Sequence, residues 1–251
     1  TNMNQTVYQK ISEKCQKGEK MLAVLLDPDK CCSQLQTRIF DLLEKNTPDF
    51  IFVGGSHTIN STDLLIENLK KRTTADIVLF PGNASQFTNQ ADALLYLSLI
   101  SGRNPEFLIT QHIQSALAIK KTGLEVIPTG YILIDGGKIT SVQYISNTFP
   151  IPADKPEITV STAVAGQLLG MKLIYLEAGS GARFPVTSST ISATKSAIDI
   201  PLIVGGGIKT IENLEQSFRA GADLVVVGNL FETQPGLIPD FIACSRHFIE
   251  K

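Results

Sequence analysis

Leu173-Ile174-Tyr175-Leu176-Glu177-Ala178-Gly179-Ser180-Gly181-Ala182 is a short apolar run that stops at a carboxylate and turns at once on glycines. A buried strand ends this way where a polar side chain must enter a site and backbone N–H groups must come close to an anion. The pattern recurs twice more, with Leu202-Ile203-Val204 running into Gly205-Gly206-Gly207 and Leu224-Val225-Val226-Val227 into Gly228-Asn229. Three successive strand ends that converge on one phosphate indicate an enzyme acting on a phosphorylated substrate.

Upstream lie further apolar runs at Met21–Leu26, Phe50–Val53, Ile77–Phe80, Leu94–Leu99 and Glu125–Ile127, ahead of Lys172–Leu176. Helical patterns separate most of them, at Leu35–Leu43, Thr62–Lys71, Glu106–Lys120, Ala163–Leu169 and Ile211–Arg219. Eight strands in βα alternation over 251 residues predict one domain, residues 1–251, folded as an α/β (β/α)₈ TIM barrel. A doubly wound open sheet is the structural alternative. It would carry its glycine fingerprint after the first strand, where this chain has Asp27-Pro28-Asp29-Lys30.

Two connections depart from the repeat. Pro81 to Ala91 is too short and too rich in breakers for a crossover helix, so the third helix is expected to be missing or reduced. Tyr131–Ile145 alternates around Asp135-Gly136-Gly137-Lys138 and predicts a β-hairpin after the fifth strand. No linker, repeat or low-complexity segment divides the chain.

With 43% hydrophobic and 18% charged residues the chain can bury a large core, and its net charge of −2 gives no basic excess to suggest nucleic acid or an anionic membrane. Cys15, Cys31, Cys32 and Cys244 fit no zinc spacing and make an awkward disulfide framework, so reduced thiols in a cytoplasmic protein are expected. Thr1 to Lys20 is polar and charged without an apolar leader core, and no apolar run approaches the ~18 residues of a membrane span.

The residues just beyond barrel strands gather on one face, where the site sits. They are Asp27 after the first strand, Gly54 to Thr58 after the second, Ser101 and Asn104 after the fourth, and Thr129, Gly130 and Tyr131 after the fifth. The last three strands add Glu177, the Gly205–Gly207 turn and Gly228-Asn229. Glycine turns after strands seven and eight lie where barrels hold phosphate through backbone N–H donors; tight turns without a ligand are the plain alternative. Asp27 and Ser56 could each be a helix cap, but a carboxylate and a hydroxyl on neighbouring strand ends also make a partial shell for Mg²⁺. Glu177 is the candidate general base, against the alternative of an ion pair closing the barrel. His57 falls in the site loop in a supporting position, whereas His112 and His247 fall on helices and are expected to face solvent.

Taken together, Leu26-Asp27-Pro28-Asp29-Lys30, Val53-Gly54-Gly55-Ser56, Pro128-Thr129-Gly130-Tyr131, Tyr175 through Ala182, Val204-Gly205-Gly206-Gly207-Ile208 and Val227-Gly228-Asn229 resemble the geranylgeranylglyceryl phosphate synthase family of barrel prenyltransferases. The resemblance covers essentially the whole chain, and Tyr-Leu-Glu-Ala-Gly-Ser-Gly is its specific motif. It implies transfer of a polyprenyl group, with geranylgeranyl diphosphate favoured as donor, to the 3-hydroxyl of sn-glycerol 1-phosphate. It further implies that Asp27 and Ser56 hold Mg²⁺ against the diphosphate. The same resemblance implies that Tyr175, Leu176, Glu177, Ala178, Gly179, Ser180, Gly181, Gly205, Gly206, Gly207, Gly228 and Asn229 bind glycerol phosphate and that Glu177 takes its proton. Related barrels commonly associate, so a homo-oligomer is expected.

Two other functions compete. A phosphosugar isomerase or cyclase barrel shares the phosphate turns but pairs a strand-one aspartate with an acid after strand five, where this chain has Pro128-Thr129-Gly130. A non-catalytic phosphate- or flavin-binding barrel would have no use for Glu177, Asp27 and Ser56 together.

Overall fold

Runs such as Met-Leu-Ala-Val-Leu-Leu have no polar face, so they are stable as strands only when covered on both sides. The computed structural model, which describes residues 6–30, 33–55, 60 and 62–248, covers them by closing eight parallel strands into a barrel in sequence order. The strands are β1 Met21–Leu26, β2 Phe50–Val53, β3 Asp76–Leu79, β4 Ala93–Leu99, β5 Glu125–Leu133, β6 Leu173–Glu177, β7 Leu202–Gly205 and β8 Leu224–Val227. Closure pairs β1 with β8, from Met21 opposite Leu224 to Val24 opposite Val227.

The helices are α1 Val7–Gln16, α2 Ser33–Lys45, α3 Thr62–Lys70, α4 Gln111–Thr122, α5 Ser141–Ser146, α6 Pro156–Leu168, α7 Ser188–Ala197, α8 Ile211–Arg219, α9 Asn229–Thr233 and α10 Ile238–Arg246. A π-helical segment, Glu106–Thr110, leads into α4. The described connection from Leu79 to Ala93 carries no helix, as its breakers predict. That gap leaves the outer face of β3 and β4 uncovered by a crossover helix.

Side-chain alternation divides the core in two. Ala23, Phe52, Val78, Leu95, Ile127, Tyr175, Ile203 and Val226 point into the barrel. Leu22, Val24, Ile51, Val53, Leu176, Val204 and Val225 pack outward against the helices. Each large apolar side chain so buried contributes about 1.5–3 kcal/mol. Val7 and Ile11 of α1 join the inner core, and the Glu125 carboxylate accepts from the Val7 and Tyr8 amides at 2.7 and 3.0 Å, so α1 closes one end of the barrel.

Three sequence expectations are corrected here. No hairpin follows β5; Ile134 bridges Ile151 in parallel, Asp135 Oδ1 accepts from the Gly137 amide at 2.8 Å, and the turn feeds α5. Pro128 does not end β5, because its carbonyl still accepts from the Lys172 amide at 2.8 Å; Thr129, Gly130 and Tyr131 are therefore within the strand. His112 is buried in α4, with its ring edge-on to Tyr96 at 4.4 Å, whereas His247 is exposed just beyond α10.

Candidate active site

The C-terminal ends of β1, β6, β7 and β8 surround an open polar cavity. Asp27, Lys30, Tyr131, Tyr175, Glu177, Ser180, Gly181, Gly206, Gly207, Gly228, Asn229 and Glu232 line it.

Glu177 is the last residue of β6, one position earlier relative to the strand end than its sequence suggests. Strand alternation turns it inward, and it is only 6% exposed. Burial pushes its carboxyl up to about 7, opposed by the Gly179 amide and the adjacent Tyr175 hydroxyl. The Gly179 N–H donates to Oε1 at 2.6 Å. Among the described residues no lysine or arginine pairs with Glu177, so a barrel-closing ion pair is absent there. A buried carboxylate with a pKa near neutrality, and no cation beside it, is suited to exchange a proton.

The glycines around it are demanded by space. A Cβ on Gly205 would run into the Tyr175 hydroxyl and lie 2.9 Å from Glu177 Oε2; one on Gly206 would collide with Glu177 Oε1. Gly206 and Gly207 also have φ of 82° and 72°, where a side chain is strained. Ser180 Oγ donates to Asn229 Oδ1 at 2.5 Å and ties the β6 turn to the start of α9. Leu176 and Ala178 turn their side chains into the outer core, so they offer a ligand backbone only.

Asp27 stands one residue beyond β1, with Oδ1 accepting from the Asp29 amide at 3.0 Å. It packs so closely on Gly55 that a Cβ there would sit 2.9 Å from Oδ2. Ser56 and His57 lie outside the described residues. Among those described, no group of three or more histidine, cysteine or acidic side chains could cage a metal. The Asp27 carboxylate, mostly buried but lining the cavity, fits an ion such as Mg²⁺, which takes few protein oxygens and completes its shell with water and substrate phosphate.

Two fourth-strand candidates are not brought to the site. Ser101 Oγ accepts from the Leu133 amide at 2.9 Å, and Asn104 Nδ2 donates to the Ser146 carbonyl at 2.7 Å. Both fasten the β5–α5 connection. The sequence also missed Lys30, Glu232 and Lys138. Lys138 reaches over the β6 turn, its Nζ 3.2 Å from where a Gly181 Cβ would be. The signal available was a lysine directly after Asp135-Gly136-Gly137, which had been assigned to a hairpin tip.

A second, apolar cavity opens where the third helix is missing. Phe80, Tyr131, Val142 and Ile145 line both cavities. The rings of Phe80, Tyr131 and Tyr175 cluster at the junction, with centroids 5.2–6.0 Å apart. The far wall includes Tyr96, His112, Ser115 and Ile119.

A family model described as the PcrB family matches residues 14–244. A geranylgeranylglyceryl phosphate synthase of Chitinophaga pinensis is 51% identical over 242 residues, covering 95% of each chain. The enzyme of that name from Pyrococcus abyssi is 39% identical and covers 89% of this chain and 88% of its own. The crystal structure of (S)-3-O-geranylgeranylglyceryl phosphate synthase from Thermoplasma acidophilum, in complex with substrate sn-glycerol-1-phosphate, matches with a TM-score of 0.90 at 31% identity. That match covers 97% of this chain and 99% of the other. A tryptophan synthase from Mycobacterium tuberculosis, at 15% identity and a TM-score of 0.61, shares the fold alone.

Proposed function

The chain belongs to the PcrB family, and from that membership and the two joined cavities we propose how it works as a prenyltransferase. It joins the 3-hydroxyl of sn-glycerol 1-phosphate to the prenyl group of a polyprenyl diphosphate, geranylgeranyl diphosphate being the donor, and releases diphosphate. The observation that carries the assignment of parts is the continuity of a polar cavity around Glu177 with an apolar groove through the missing-helix gap.

In this mechanism the turns Gly206-Gly207 and Gly228-Asn229, with Ser180 and Lys138, hold the acceptor phosphate. Backbone N–H groups and one ammonium match a dianion. The acceptor hydroxyl then lies against Glu177, which takes its proton. The freed oxygen forms a bond to C1 of the prenyl group as the C1–diphosphate bond breaks, and diphosphate leaves with the electron pair. Asp27 and Ser56 would hold Mg²⁺, which when bound supplies positive charge to the departing diphosphate. The faces of Phe80, Tyr131 and Tyr175 at the junction favour positive charge developing on the allylic carbon, and they keep water from competing.

The isomerase alternative loses support on geometry. The longer β5 brings Asp135 just past the strand end, but its carboxylate accepts from the Gly137 amide and does not line the cavity. Cytoplasmic residence and association between copies belong to the same proposal. Cys15 and Cys244 are free thiols, in keeping with a reducing compartment. No helix among the described residues is long and apolar enough to cross a membrane. Ile109 of the π-helical segment and Ile113 and Leu117 of α4 are exposed apolar side chains at helical spacing that support self-association.

The decisive experiment incubates the protein with sn-glycerol 1-phosphate, Mg²⁺ and prenyl diphosphates of several lengths, and reads product mass. A geranylgeranyl ether is expected. Absence of any ether product from every donor overturns the assignment.

A further inference from the structure

Lys30 is the only cationic side chain among the described residues lining the polar cavity, which also holds the carboxylates of Asp27, Glu177 and Glu232. A diphosphate entering that cavity meets three acidic groups, and the ammonium on the β1 side is Lys30, Lys138 lying over the β6 turn on the acceptor side. Lys30 Nζ lies 3.2 Å from Glu232 Oε1 and 3.7 Å from Asp27 Oδ2, bridging the end of β1 to α9. Its backbone is fixed, since the Lys30 amide donates to the Asp27 carbonyl at 3.1 Å, but its side chain is 42% exposed. The Glu232 side chain is only 19% exposed, so it is the anchored end of the pair.

We propose that Lys30 is a diphosphate ligand held ready by Glu232, bridging Glu232 and Asp27 and swinging from Asp27 onto a diphosphate oxygen when the donor binds. The proposal rests on the prenyltransferase assignment and on Asp27 as the metal-holding carboxylate. Lys30 and a divalent cation compete for the same face of Asp27. A diphosphate, with several charged oxygens, outcompetes a single carboxylate for a partly solvated ammonium. Glu232 acts through Lys30 as a positioning residue: it draws the ammonium away from Asp27 when the metal arrives and keeps it within reach of the leaving group. The alternative is a structural ion pair that merely fastens α9 to the β1 end.

The two differ in what binding measures. Calorimetric titration of the full chain with inorganic pyrophosphate, in EDTA and in Mg²⁺, reads the Lys30 contact with and without the metal; Mn²⁺ alone reads the Asp27 site. Lys30→Met is expected to weaken pyrophosphate binding about tenfold or more under both conditions, as loss of a charge-assisted contact does. The same variant tightens Mn²⁺ binding severalfold, because Asp27 loses its competing cation. Lys30→Arg retains pyrophosphate binding. Glu232→Gln shifts Mn²⁺ the other way, weakening it, since Lys30 then rests on Asp27 alone. Affinity for sn-glycerol 1-phosphate stays unchanged throughout. Parental pyrophosphate affinity in Lys30→Met, with a lowered melting temperature, overturns the proposal in favour of the structural pair. Equal weakening toward glycerol phosphate overturns it in favour of a diffuse charge effect. Asp27→Asn separates the premise: parental Mn²⁺ binding there removes Asp27 from the metal site, while the EDTA titration still judges Lys30.

Discussion

The Gly179 amide donates to Glu177 Oε1 at 2.6 Å, and this bond between residues two apart fixes which way the carboxylate faces. The other oxygen, Oε2, lies beside Gly205 and the Tyr175 hydroxyl, and Glu177 itself lines the polar cavity. Glu177→Gln keeps the shape but cannot take a proton, so turnover is expected to fall about 10²–10⁴-fold with little change in glycerol phosphate affinity. Steady-state kinetics and acceptor titration on the same preparation check this; near-parental turnover removes Glu177 from the mechanism.

The raised carboxyl of Glu177 also sets a pH dependence. Its pKa of about 7 in the folded chain exceeds the ordinary 4.5, so the folded state holds the proton more tightly than the unfolded one. The associated stability is fully present below pH 4.5 and is lost as pH rises through about 7. The loss is on the order of 3 kcal/mol once the group is ionised. Activity moves oppositely, rising as the base ionises. Glu177→Gln is expected to melt higher than the parent at pH 8 and close to it at pH 4.5; equal melting temperatures at pH 8 show that burial does not raise this carboxyl.

Gly206→Ala tests the crowding behind the base. The new Cβ would meet Glu177 Oε1 and lie 2.6 Å from the Gly179 nitrogen, at a φ of 82°. Strain of this kind costs on the order of 1–3 kcal/mol. Denaturant unfolding is expected to show that loss together with weakened glycerol phosphate binding, and parental values for both contradict the placement of the turn.

The Tyr96–His112 pair lines the apolar groove, and the buried Nδ1 of His112 has no hydrogen-bond partner. His112→Ala removes a ring from that lining and enlarges the groove. The expected result is a shift toward longer prenyl donors, read by competition between donors and product mass. An unchanged donor preference places the chain elsewhere.

Lys138→Ala is expected to weaken glycerol phosphate binding about tenfold at low salt, since a charge-assisted contact is lost, with kcat little altered. The deficit should shrink as ionic strength rises. A parental affinity at low salt shows that the ammonium over Gly181 does not meet the phosphate.

Much of this protein was legible in its residues because the signals are local. The eight strands, the glycine turns after β6, β7 and β8, and the absence of a helix between Phe80 and Asp92 depend on short-range apolar runs and breakers. The apolar run that stops at a carboxylate before a glycine turn likewise foretold Glu177 as a polar residue at a strand end. Tertiary structure decided the rest. The length of β5 through Pro128 depends on a carbonyl bonded to Lys172, and the course of the chain after Leu133 on a bridge from Ile134 to Ile151. His112 is buried because the missing helix leaves α4 to wall a cavity that no periodicity reveals. Lys30 and Glu232 are 202 residues apart and meet only because β8 closes on β1. Local chemistry chooses the strands and their terminal residues, whereas the charge and shape of the site come from barrel closure, which brings distant strand ends within bonding distance.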